Sequence, residues 1–122
     1  MTLLLVLAGA AVGAPARWLV DRAVSARHDS AMPWGTMTVN VLGSFVLGLV
    51  LSAAAMSASP SGVALLGTGF CGAFTTFSTF AFESVRLVES GSTRTAFVNV
   101  GLSLALGMAG VTLGWWFGTL LP

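Results

Sequence analysis

The residues able to do chemistry in this chain are few and almost all uncharged. Asn40 stands in Gly35-Thr36-Met37-Thr38-Val39-Asn40-Val41-Leu42-Gly43, inside a long stretch without a charge. Its amide carries two donors and an acceptor, and in apolar surroundings such a group must find partners. Thr36, four residues earlier, shares its helical face. Two readings follow for Asn40: a hydrogen bond between helices, or a donor lining a pore. The other polar concentration is Gly67-Thr68-Gly69-Phe70-Cys71-Gly72-Ala73-Phe74-Thr75-Thr76-Phe77-Ser78-Thr79-Phe80. It contains the G-x-G-x-x-G of a dinucleotide fold, with Glu89 lying 20 residues beyond Gly69. That fingerprint has mechanical meaning only between a strand and a helix of a parallel sheet, so inside an apolar run it is a false match. Gly72 followed by two threonines and a serine instead predicts a local break near Gly72 to Thr76, because glycine weakens a helix and hydroxyls can take over backbone partners. A break frees carbonyls on one side and N–H groups on the other. At membrane depth this is tolerated only when buried in protein or lining a wet cavity, where such groups coordinate ions. The alternative is an unbroken helix whose hydroxyls bond back to its own carbonyls. Phe77 and Phe80, three apart, share a face that periodicity alone reads as packing. Cys71, the one cysteine, cannot form an internal disulfide and reads as a small packing residue.

The elements that must hold these residues are set by composition. Of 122 residues, 56% are hydrophobic and 7% charged, and the mean hydropathy is +0.93. Such a chain has too little polar surface to clothe a water-soluble globule and reads as a membrane protein. Its net charge of +1 and lack of lysine argue against nucleic-acid binding, which needs a basic face. Charged side chains are absent from Met1 to Ala16, from Ser30 to Phe82 and from Thr95 to Pro122. About 20 apolar residues cross the hydrocarbon, so the middle block holds two crossings, divided at Ser57-Ala58-Ser59-Pro60-Ser61-Gly62. The expected fold is an all-α membrane protein of four transmembrane helices, Leu3 to Val20, Pro33 to Met56, Val63 to Val88 and Thr95 to Leu120. They form a single domain over residues 1–122. The first segment lacks the basic start of a signal peptide and is expected to be retained. No soluble domain remains, so function must lie within the bilayer, and a four-helix protomer this thin is expected to oligomerise. The small-residue spacings Gly9/Gly13 and Gly110/Gly114/Gly118 are the expected adhesive faces.

All five arginines, 17, 22, 27, 86 and 94, lie in or beside the Asp21-to-Ala31 and Glu89-to-Thr93 loops. Four crossings put both loops on one side, so the positive-inside rule predicts termini facing away from the cytoplasm. An enzyme is excluded by the lack of a nucleophile and base pair in the spans, and His28 sits in a loop without a ligand cluster. A small four-helix drug or cation antiporter would need a carboxylate in the middle of a span, whereas Glu83 lies towards the end of one. A structural membrane subunit without transport is the remaining alternative.

Three motifs in order carry a resemblance: Gly13-Ala14-Pro15-Ala16-Arg17 in the first helix, Gly35-Thr36 through Asn40-Val41-Leu42-Gly43-Ser44-Phe45 in the second, and Gly69 to Phe80 in the third. Together they closely resemble the Fluc fluoride channels, also called the CrcB family, and the match covers the whole chain. The resemblance implies a passive fluoride exporter of the plasma membrane, built as an antiparallel dimer with two narrow pores and a structural sodium ion at its centre. By the same resemblance Asn40 is the pore asparagine, and Phe77 and Phe80 are the paired pore phenylalanines. Thr79 and Ser103 are pore-side hydroxyls, Arg17 is the vestibule arginine, and Glu83 is the acidic residue at the end of the third helix. Gly72 and Thr75 lend backbone carbonyls to the sodium. One turn past Ser103 this chain has Gly107, so a polar track there must be shorter or be completed by another helix. The arginine asymmetry leaves two assemblies open, an antiparallel homodimer or a heterodimer with an oppositely oriented relative. The implied chemistry is coherent: a narrow passage must replace the water of a small, strongly hydrated anion with amide and hydroxyl donors and with the positive edges of aromatic rings. None of these holds the ion too tightly to leave.

Overall fold

The computed structural model describes residues 1–56 and 60–121, and these are helical almost throughout. Helix α1 is Thr2–Ser25 and α2 is Trp34–Met56. A third helical run, α3, covers residues 60–74, with Val63–Cys71 wound as a π-helix between the short α-helical pieces Pro60–Gly62 and Gly72–Phe74. After a break, α4 is Phe77–Glu89, and α5 is Thr93–Leu120. Counting α3 and α4 as one interrupted span, four segments among the described residues are long and apolar enough to cross a membrane. The expected helices are all present with shifted ends. The largest shift is in α1, which continues past Val20 to Ser25 because Asp21, Arg22 and Ser25 are satisfied locally. The Ser25 hydroxyl donates to Asp21 at 3.2 Å, and the Arg22 guanidinium lies 5.0 Å over the Trp18 ring. Residues 57–59 of the expected turn lie outside the described residues.

Among the described residues, the α4–α5 corner is where a glycine takes a left-handed backbone conformation. Gly91 has φ 88°. Around it the Ser92 N–H reaches the Leu87 carbonyl at 2.8 Å and the Gly91 N–H the Val88 carbonyl at 3.1 Å. This pair of bonds closes the carbonyl end of a helix and needs a left-handed residue between.

Packing pairs α2 with α5 and α1 with the π-helical part of α3. Both contacts are made backbone to backbone. A side chain at Gly9 or Gly13 would collide with the main chain of Leu65 or Phe70, and one at Gly114 with the Phe45 carbonyl. The small-residue stripes expected to serve an oligomer are thus consumed inside the protomer. Without a hydrophobic driving force between helices in lipid, this close approach is what associates them. Gly114→Val is accordingly expected to cost about 3 kcal/mol, the upper end of overpacking, since the obstructing atom is backbone and cannot swing away. Gly101→Ala, where an added Cβ meets nothing within 4 Å, should leave the melting temperature in detergent unchanged. Equal melting temperatures for the two variants would refute the packing account.

Candidate functional site

The break between α3 and α4 is confined to two residues. Thr75 (φ −87°, ψ 161°) and Thr76 (φ −148°, ψ 118°) are extended, whereas Gly72 keeps helical angles (φ −61°, ψ −37°). The interruption therefore falls in the expected window, but threonine caps make it rather than glycine flexibility. The Thr75 N–H and hydroxyl both donate to the Cys71 carbonyl, at 3.0 Å and 2.8 Å, closing α3. Thr76 opens α4, its Oγ1 accepting from the Thr79 N–H at 3.2 Å as an N-cap should.

The polar groups that the break exposes are taken up by two other helices. Asn40 of α2 spans Thr76: its Nδ2 donates to the Thr76 carbonyl at 3.0 Å and its Oδ1 accepts from the Thr76 N–H at 2.8 Å. One amide N–H of Asn40 remains beyond this pair. One turn earlier, the buried Thr36 hydroxyl donates to Glu83, so the shared face of Thr36 and Asn40 fastens α4 to α2 at two heights. From α1, Arg17 donates its Nε to the Ala73 carbonyl at 3.3 Å. Arg17 thus sits at the level of the break, roughly two turns before α1 ends. Its positive charge stands at the carbonyl end of α3, where the helix dipole is negative.

Two cavities flank this junction. One, of 340 Å³, is lined by Gly72, Thr75 and Thr76 together with Asn40 and Phe77. The other, a groove of 350 Å³, gathers Asn40, Phe77, Phe80 and Ser103. Among the described residues, none that lines either cavity is charged. The Phe77 and Phe80 rings stand 5.9 Å apart with their planes at 49°, and Phe77 is 79% exposed in the single chain. By contrast Phe70 and Phe74 stack on each other at 5.4 Å, with Phe74 buried. The second pair is packing within the protomer, whereas Phe77 lies open on its surface. Thr79 is not brought to the groove; its hydroxyl accepts from Thr76 Oγ1 at 3.1 Å. Ser103 donates to Asn99 Oδ1 at 3.3 Å, and Asn99 in turn donates to Ser84 at 3.0 Å, tying α5 to α4. Asn99, 1% exposed, escapes the sequence reading, although an amide four residues before Ser103 in a charge-free block is the same signal that marks Asn40. Among the described residues no cluster of His, Cys, Asp or Glu could hold a metal, so a cation here would rely on carbonyl oxygens.

These features define a small multi-pass membrane protein whose polar groups are concentrated at a helix break instead of in a soluble domain. In bacteria its location is the plasma membrane. Residues 4–115 match the family described as CrcB-like protein, Camphor Resistance (CrcB), and the chain belongs to that family. It is 50% identical to Fluoride-specific ion channel FluC 1 of Streptomyces avermitilis, over 99% of this chain and 98% of the relative. It is 51% identical to Fluoride-specific ion channel FluC 1 of Frankia casuarinae, over 93% of each, and 43% identical to Fluoride-specific ion channel FluC of Geobacter sulfurreducens, over 93% of each.

Proposed function

We propose that this chain is a fluoride-selective channel that lets fluoride leave the cytoplasm passively and so lowers its toxicity. The observation carrying this reading is the groove in which Asn40, Phe77, Phe80 and Ser103 converge. Its walls offer an amide N–H, a hydroxyl and ring edges, a set that can stand in for the water around a small anion. With no charged side chain in the wall, the ion meets no fixed partner that would trap it, and no carboxylate is placed there to couple transport to protons. Thr79 acts in this scheme through Thr76, as part of the cap that shapes the break. Arg17 draws anions toward the junction by its charge while bracing the end of α3.

A sodium ion bound by the Gly72 and Thr75 carbonyls fits the local structure. Thr76 N–H, which an unbroken helix would send to the Gly72 carbonyl, goes to Asn40 instead. An added Cβ on Gly72 would meet nothing within 4 Å, and both residues line the 340 Å³ cavity. Bound there, the ion would supply positive charge at the negative end of α3 and hold the break in place. The exposure of Phe77 and the open sides of both cavities suit completion by a second, antiparallel copy. The arginine bias leaves the homodimer and the heterodimer with an oppositely oriented relative as the two forms of that assembly.

The protein expressed alone and reconstituted into liposomes loaded with potassium fluoride is expected to release fluoride rapidly to an ion-selective electrode once a potassium ionophore removes the opposing voltage. Proton-dependent uptake of an organic cation without fluoride efflux would replace the channel by the antiporter. Full efflux without any second gene product would establish the homodimer.

A further inference from the structure

The cavity at the break and the groove beside it have a common wall of four residues, Asn40, Ser44, Leu47 and Phe77. Only Asn40 and Ser44 in that wall are polar, and the Asn40 side chain is largely engaged by Thr76. Ser44 lies one turn further along the same face of α2 and is half-buried, its hydroxyl donating to the Asn40 carbonyl at 2.7 Å. Across the groove stands Gly107 of α5, one turn beyond Ser103. A Cβ on Gly107 would have a single neighbour within 4 Å, Ser44 Oγ at 3.7 Å. Where α5 presents no side chain, α2 therefore presents a hydroxyl.

From this placement we infer that Ser44 contacts the permeating anion, carrying the row of donors from Asn40 and Ser103 past Gly107 along α2. This deepens the fluoride reading of the groove and rests on it. The bond from Ser44 to the Asn40 carbonyl is a local back-bond within one helix turn, the kind that competes with other partners and is easily exchanged. A hydroxyl donating to an ion makes a stronger bond than one donating to a neutral carbonyl, so an arriving anion draws the proton toward itself. When the anion leaves, the rotor returns to the Asn40 carbonyl, and no donor is stranded unpaired in apolar surroundings. A hydroxyl with only a structural role would stay on the carbonyl, with the same effect on α2 whether the groove is occupied or empty.

Intramolecular complementation separates the two roles. Ser44→Ala should slow fluoride efflux from liposomes about tenfold with an unchanged melting temperature. Ser44→Ala combined with Gly107→Ser returns a hydroxyl to the same space from the opposite helix and should restore most of the rate. Wild-type efflux from Ser44→Ala would overturn the inference. So would a double variant that melts normally yet stays as slow as the single one, since the hydroxyl would then act through the α2 backbone. Should the alanine variant fail to fold, Ser44→Cys keeps the branching with a slightly larger atom and weakens the donor: slowed efflux supports the inference and an unchanged rate refutes it. If the unaltered protein passes no fluoride, the reading of the groove itself fails, and this inference falls with it.

Discussion

Asn40→Ala is expected to cut fluoride efflux about 100-fold while the four spans still insert. The Asn40 side chain holds both backbone groups of Thr76, and removing it leaves a donor and an acceptor unpaired where the bilayer supplies no water. Thr76 then has to find other partners, which disturbs the groove wall, and a donor to the ion is lost as well. The expected 100-fold change corresponds to about 2.7 kcal/mol in the barrier to passage. Asn40→Asp sharpens the test. An ionised carboxylate can accept from the Thr76 N–H but cannot donate to the Thr76 carbonyl or to an anion, and its charge repels fluoride. It should therefore be at least as defective as alanine in the liposome efflux assay. An aspartate variant that conducts normally would mean that only the Asn40 oxygen matters, and the amide would lose its place in the pathway.

The contrast between what was legible in the sequence and what was not follows from how far each signal travels along the chain. The four spans are written in long charge-free blocks, and a helix in lipid has no competing fold, because every backbone group must be paired within the segment. The break was legible for a related reason: hydroxyl residues crowded behind a glycine have few uses inside an apolar run. Its window was legible too; which residues within Gly72 to Thr76 leave the helix was not, because that choice depends on Asn40, 36 residues before Thr76, accepting the Thr76 N–H. The same limit hid the role of Thr36, whose hydroxyl partner is Glu83, and of Asn99, whose amide gains meaning only once Ser84 and Ser103 are beside it. Glycine spacing foretold close approach correctly but not its partner, since a small face fits a neighbour in the same chain as well as one in another.

Substitution in the aromatic pair has the other large expected effect. Phe77→Ile and Phe80→Ile should each slow fluoride passage about tenfold, the upper end of what an aromatic edge interaction is worth. Isoleucine keeps an apolar side chain in the groove but removes the positive rim. The melting temperature should hardly change for Phe77→Ile, because a ring that is 79% exposed packs little of the protomer. Phe74→Ile should do the reverse, lowering the melting temperature through loss of a ring that is only 6% exposed and stacked on Phe70. The two rings lie 5.9 Å apart, close enough that their effects should not add. If they serve one anion in turn, the double isoleucine variant should be less impaired than the product of the two single losses, because one missing rim already sets the barrier. Unchanged efflux from both single variants would reduce the pair to packing and leave Asn40 and Ser103 to carry the ion without ring edges.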